Sequence, residues 1–357
     1  MSAGELHLVV PGPLHQRTGG YLYDARMAGG LQRMGWAVTV HSLEGRFPAG
    51  DSVAERSLGD ALASIPDGAR VLVDGLGMGA LPKPVRAHAA RLKLIALVHH
   101  PLADETGLEE DERERLRELE TTTLAACRAV IVTSQFTADR LVEMGVPRAR
   151  IRAVPPGTDP ARPAAGPGPG QPPRLLCVGT VIPRKGHATL VRALARIRAL
   201  PWSCVCAGSL DRDPAFARAL IADVRAAGLE ERIEFPGELG EVVLDDLYHG
   251  ASLFVLPSHY EGYGMAYTEA LVRGLPVVGT TGGAVPYTVP SSASILVRPG
   301  DDAALADALG HLLAGSAGAA RRARLATAAR QHAIKLPGWD RAVGGFARAL
   351  LELTADG

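Results

Sequence analysis

From end to end the chain alternates two kinds of segment. In the first half, short β-rich runs read "LHLVV", "AVTVHSL", "RVLVDGL", "LKLIALVHH" and "RAVIVTS". In the second they read "RLLCVGT", "WSCVCAGS", "RIEFPG", "SLFVLPS" and "LPVVGT". Between them lie stretches whose apolar residues recur every three or four positions, such as "ATLVRALARIRAL". Parallel strands need a crossover to join them, and strands buried on both faces read as continuous apolar runs. The alternation therefore predicts an α/β fold of parallel sheets with helices on both faces. One stretch interrupts it: "PPGTDPARPAAGPGPGQPPR", residues 155–174, is too dense in proline and glycine to continue a helix or a central strand. It reads as a linker. The 357 residues then divide into two domains, at roughly 100–200 residues each. They are expected as two Rossmann-like, doubly wound domains, 1–165 and 166–340, facing across a cleft. Ligands of such sheets bind beyond the carboxyl ends of the strands, so the cleft is the expected site.

Composition narrows the function. Basic and acidic residues balance at 38 each, so bulk charge drives binding to neither nucleic acid nor a membrane surface. A local patch for peripheral membrane contact stays open. No window approaches ~18 uninterrupted apolar residues, so no membrane span is expected. "MSAGELHLVVPGP" shows no charged leader followed by a long apolar core, so no signal peptide is expected. Of the cysteines, Cys177, Cys204 and Cys206 lie inside apolar strand runs and Cys127 elsewhere; all read as buried reduced thiols, which suits a reducing cytoplasm.

Three strand ends carry candidate chemistry. After "LHLVV", Gly19-Gly20 opens a helix, where backbone can approach a ligand and free N–H groups face an anion. There is no G-x-G-x-x-G, so the dinucleotide fingerprint is absent. After "LLCV" comes Gly179-Thr180 and then Arg184-Lys185-Gly186. Adjacent cations at a strand's carboxyl end suit a diphosphate. The chain holds only four lysines against 34 arginines, so a lysine kept here points to a need for a compact charge. The third is "LPSHYEGYGMAYTEALVRGLPVVGT", residues 256–280, with Glu261 on a loop, Gly262-Tyr263-Gly264 at a helix start and Glu269 inside the helix. The two carboxylates would stand on the order of 10–12 Å apart at ~1.5 Å per helical residue. That separation matches a ligand carrying a sugar at one end, a ribose at the other and phosphates between.

In order along nearly the whole chain, these elements resemble family 4 of the retaining glycosyltransferases, which have the GT-B fold. The resemblance rests on "EGYGMAYTEA" as an E-x7-E block, with "MAGGLQRMGWAVTV", "LVHHP", "VIVTSQFTADRLVEMGV", "IRAVPPGTDP", "VGTVIPRKG", "RIEFPGEL" and "GLPVVGTTGG". It implies transfer of a sugar from a UDP- or GDP-sugar to a small-molecule or glycan acceptor, with retention, and with no metal or separate cofactor. Catalytic roles would fall to His99, Glu261, Arg184 and Lys185. Donor contacts would come from Gly19, Gly20, His100, Gly179, Thr180, Gly262, Tyr263, Gly264, Met265 and Glu269. Glu269 would hold the ribose, Glu261 the sugar hydroxyls, and Lys185 with Arg184 the diphosphate. The first domain would face the acceptor, and a C-terminal helix over about 340–357 would pack back on it.

The chain departs from the family pattern at Thr180, where many members carry arginine, at Tyr263 for phenylalanine, and at Pro156 for asparagine. The "DRD" of residues 211–213 reads as a turn and helix start before Pro214, not as a metal site. The charged run 103–120 reads as an exposed helix with i,i+4 pairs and a candidate acceptor-side lid. Two other functions stay open on the same residues. One is a hydrolysing nucleotide-sugar 2-epimerase, the other a non-catalytic nucleotide-sugar-binding protein.

Overall fold

The computed structural model describes residues 4–354; the last three positions of the expected C-terminal helix and the first three of the chain lie outside them. Two compact units form, one from the chain up to Gly157 together with Pro337 onward, the other from Thr158–Leu336.

In the first unit, β1 (Glu5–Pro11), β2 (Ala37–Leu43), β3 (Arg70–Asp74), β4 (Lys93–Val98), β5 (Ala129–Val132) and β6 (Ile151–Ala153) pair in parallel in the order β2-β1-β3-β4-β5-β6. Its helices are α1 (Gly19–Arg33), α2 (Ser52–Ser64), α3 (Gly75–Met78), α4 (Pro82–His88), α5 (Glu110–Ala126) and α6 (Gln135–Glu143). Inner strands β3, β4 and β5 are buried almost throughout because helices cover both faces, whereas edge strand β2 is mostly open.

The second unit holds β7 (Arg174–Val178), β8 (Ser203–Ala207), β9 (Ile233–Gly237), β10 (Leu253–Val255), β11 (Val277–Thr280) and β12 (Ser294–Val297), all parallel in the order β12-β11-β10-β7-β8-β9. Its helices are α7 (His187–Arg196), α8 (Pro214–Ala226), α9 (Glu241–His249), α10 (Met265–Val272), α11 (Val285–Thr288), α12 (Asp302–Leu313) and α13 (Gly315–Ala333). The last helix, α14 (Trp339–Thr354), belongs to the first unit. It buries Val343, Phe346 and Leu350, and Phe346 meets the Tyr23 ring of α1 edge-on at 6.1 Å.

Sheet order fixes where each site can be. Both orders reverse direction once, and a crevice opens where neighbouring strands send their helices to opposite faces. In the first unit that point lies between β1 and β3, in the second between β7 and β10. The second order is the dinucleotide-binding arrangement, while the first is the other common doubly wound one.

Several expectations need correction. Strands β6 and β12 were not legible; both are short edge strands, flanked by "VPP" and "VPSSA". The first unit ends at Gly157 instead of 165, because the Ala164 N–H bonds the Arg273 carbonyl and the Ala165 N–H bonds that of His249. The run 103–120 is not one solvated helix. Helix begins at Glu110, its ion pairs are i,i+3 (Glu110–Arg113, Glu112–Arg115), and Leu116 and Glu120 are buried. Glu120 accepts the Leu102 N–H at 2.9 Å, and Asp104 pairs with Arg140, so the segment is anchored. Asp213 caps α8 by accepting the Phe216 N–H, with Pro214 in the first turn. All four cysteines are buried and free, and the Cys204 and Cys206 sulfurs share one sheet face at 3.9 Å.

Candidate active site

In the second unit, the loops after β7 and β10 meet through Gly186. Its φ is +73°, and a Cβ there would stand 1.9 Å from the Pro257 carbonyl oxygen. Only glycine allows that approach. The approach sets Lys185 against Glu261, its Nζ donating to Oε1 at 2.7 Å. Ser258 donates its hydroxyl to the same oxygen at 2.6 Å, and Arg184 lies 3.7 Å from Oε2 while donating to the Tyr260 carbonyl at 2.9 Å. Burial alone would raise the Glu261 carboxyl, but Lys185 and Arg184 overcome it and hold it below its ordinary range. Burial lowers the Lys185 ammonium more than Glu261 restores it. Two cations thus face the Glu261 carboxylate beside the switch point.

Helix α10 follows. Gly264 caps it at φ +92°, Met265 is its first residue, and Gly274 at φ +73° follows its end. Glu269, one turn in, accepts the Tyr248 hydroxyl at 2.9 Å and is half-buried, so it is not a free surface residue. The Thr288 hydroxyl donates to the Tyr263 carbonyl at 2.6 Å. Gly179 leaves β7 with its N–H on the Ala207 carbonyl, and a Cβ on it would touch the Lys185 stem at 3.5 Å; Thr180 continues that loop.

The first unit builds a different cluster. His99 follows β4, and its Nε2 faces two carboxylates, Asp24 Oδ1 of α1 at 3.0 Å and Asp74 Oδ2 at the end of β3 at 3.4 Å. Asp74 also caps α3, its Oδ1 accepting the Leu76 N–H at 2.7 Å. Helix α1 presses on the ring through Gly20, where a Cβ would lie 3.2 Å from His99 Cδ2, and through Tyr23, whose ring meets it edge-on at 5.6 Å. Burial opposes charge on His99, but the two carboxylates outweigh it and lift the imidazole to about 10. Among the described residues these three are also the set whose potential metal-ligand atoms lie mutually within 4.8 Å. We read it as a hydrogen-bonded cluster, because a protonated Nε2 satisfies both oxygens that face it.

Sequence reasoning named His99, Lys185, Arg184, Glu261 and Gly20, and each stands at a strand end of its own unit. His100 points elsewhere, 3.4 Å from Glu105. A Cβ on Gly19 would meet nothing within 4 Å. Asp24, Asp74, Ser258 and Tyr248 were missed. Asp24 had a signal: it sits among Tyr23, Met27, Ala28 and Leu31 on the buried face of α1, where an acid needs a partner.

Comparison with known proteins places this architecture. The description "Glycosyl transferases group 1" matches residues 172–315, and "Glycosyltransferase Family 4" matches residues 72–162. The D-inositol 3-phosphate glycosyltransferase of Xylanimonas cellulosilytica is 33% identical over 249 residues, covering 65% of this chain and 58% of that protein. The chain spans about half the length of the curated relatives it matches. Sucrose-phosphate synthase from Thermosynechococcus elongatus superposes with a TM-score of 0.81 at 22% identity, over 98% of this chain and 99% of that one. Anabaena HepE, solved in complex with UDP-glucose, gives 0.75 at 18% identity, over 97% and 99%. Two six-stranded parallel sheets with flanking helices and these neighbours define the GT-B fold class. Within that class, the chain belongs to glycosyltransferase family 4. No helix among the described residues is long and apolar enough to cross a membrane.

Proposed function

We propose that this chain transfers a sugar from a nucleoside diphosphate sugar to an acceptor hydroxyl, with retention of configuration and without a metal. The observation that carries the reading is the placing of two adjacent cations, Lys185 and Arg184, beside the buried Glu261 beyond the ends of β7 and β10. A diphosphate suits adjacent cations at strand ends, and N–H groups at the start of α10 add to them. Family 4 membership and a neighbour solved with UDP-glucose support the choice of donor.

In this reading Glu269 binds the ribose, and Gly262, Tyr263, Gly264 and Met265 line the phosphates. Glu261 meets the sugar hydroxyls, and in the first unit His99 serves as a donor to substrate. As the glycosidic C–O bond breaks, negative charge grows on the leaving phosphate, where Lys185 and Arg184 stabilise it. The acceptor oxygen attacks the same face and gives its proton to that phosphate.

The test incubates the full chain with UDP-glucose or GDP-mannose, a panel of simple acceptors and EDTA, and measures released nucleoside diphosphate. Acceptor-dependent release that collapses in Glu261→Ala and Lys185→Ala is expected. Turnover unchanged in both variants would refute the assignment. Conversion of the donor alone to its 2-epimer would make the chain an epimerase.

A further inference from the structure

The chemistry in the first unit goes further than the presence of a histidine. Two carboxyls converge on one imidazole nitrogen, and they are not equivalent. Asp74 has both oxygens engaged, Oδ1 by the Leu76 N–H and Oδ2 by His99. Asp24 is 1% exposed and uses only Oδ1; its Oδ2 is buried with no hydrogen-bond partner. A buried carboxylate left with an orphaned oxygen is costly, whereas a protonated acid places its hydrogen there and removes the charge. Oxygens of the two acids lie within 4.8 Å of each other, so two buried negative charges would also repel. One cation, one anion and one neutral acid make a balanced buried set.

We propose that Asp24 and Asp74 are a positioning pair for His99: together they hold one negative charge and one proton, keep the imidazole protonated through Nε2–H, and leave Nδ1–H as the donor offered to substrate. Among the described residues Nδ1 has no hydrogen-bond partner, and the side chain keeps 20% of its surface open. Pinning by Asp24, Asp74, Gly20 and Tyr23 leaves the ring little freedom to turn. The charged groups facing the ring are Asp24 from α1 and Asp74 from β3; Tyr23 presents only a ring edge, and Thr133 after β5 bonds the His99 carbonyl. Burial drives the Asp24 carboxyl up to about 7, while burial of Asp74 is overcome by its hydrogen bonds and holds it below its ordinary value. The assignment rests on the proposed transferase reading for its use, but not for its test.

The test is a pH titration of the full chain labelled with ¹⁵N-histidine, following the two ring nitrogens of His99, identified by their loss in His99→Gln. No donor is needed, so failure of the transferase assay would leave this result standing, and the reverse also holds. Wild type should keep both nitrogens protonated through neutral pH. The double variant Asp24→Asn/Asp74→Asn should bring the midpoint down toward the ordinary value of 6.5, and either single variant, which leaves one acid to carry the charge, should lower it less. Asp24→Asn/Asp74→Ser, which still caps α3, repeats the measurement should the double asparagine variant fail to fold. A wild-type His99 that titrates near its ordinary value, or a midpoint that stays at that of wild type in the double variant, would overturn the proposal.

Discussion

The two sheets place their polar clusters at equivalent topological points and compose them differently. Beside the β7–β10 switch point, two cations share one carboxylate. Beside the β1–β3 switch point, one imidazole is shared by two carboxyls. The first gathers two cations beyond strand ends. The second is closed on itself and offers a single directed donor. Fold alone therefore says where a site forms, while the ratio of acids to cations says what it takes.

The largest break in this comparison should come from Lys185→Ala. Turnover is expected to fall about 10²–10³-fold, as for loss of one preorganised charge contact. The same change takes from the buried Glu261 its nearest cation and leaves Arg184 and Ser258, so stability should fall as well, by less than the ~3–5 kcal/mol of a buried pair broken outright. The double variant Lys185→Met/Glu261→Gln separates the two effects. Its unfolding midpoint in urea should return toward wild type while its turnover stays low.

Gly186→Ala comes next. The Pro257 carbonyl must move, and the left-handed backbone costs ~1–3 kcal/mol for a non-glycine residue. Thermal unfolding should drop accordingly. Lys185 would then be displaced from Glu261.

A third test concerns the acid-rich first unit. Glu120 is buried, with one oxygen on the Leu102 N–H and the other without a partner. Burial raises its carboxyl to about 8, with the Leu102 N–H opposing and Asp104 adding. Because the folded value lies above the ordinary 4.5, the folded state holds this proton more tightly. That contribution is complete below 4.5 and is lost as pH rises through 8. Glu120→Gln carries no such proton. Relative to wild type it should gain roughly 1–3 kcal/mol at alkaline pH, the cost of an unmatched buried polar group. Little gain is expected in acid; denaturant melts at the two extremes check it. The smallest effect is expected from Gly20→Ala, where the His99 ring must give by a few tenths of an ångström. A rotamer penalty of ~0.5–1.5 kcal/mol implies a rate loss of about tenfold or less, read in the transferase assay, with a melting point lowered by no more than a few degrees.

How much of this was legible follows from which signals are local. Most strands announce themselves as apolar or β-rich runs bounded by turn signals, so ten of the described strands, edge strands β2 and β9 among them, could be read directly. Edge strands β6 and β12 carry no such run, and the linker's first residues are held by hydrogen bonds that composition does not encode. In the second unit the site was readable because its residues cluster in two motifs, "RKG" and the E-x7-E block. Gly186 ties the two together, and its spacing next to Lys185 is visible in the sequence. In the first unit, Asp24, Asp74 and His99 come from α1, β3 and β4, separated along the chain by dozens of residues. Only the sheet order brings them to one point. Asp24 gave the one advance notice, an acid on an apolar helix face.

The account depends most on the claim that the β7–β10 cluster binds a diphosphate. Isothermal titration calorimetry of UDP against uridine, and of GDP against guanosine, measures that directly on the wild type and on Lys185→Met/Glu261→Gln. The prediction is that one nucleoside diphosphate binds far more tightly than its nucleoside, and that the double variant erases the difference. Equal affinities for nucleoside and diphosphate in the wild type, or a preference that survives in the variant, would contradict it.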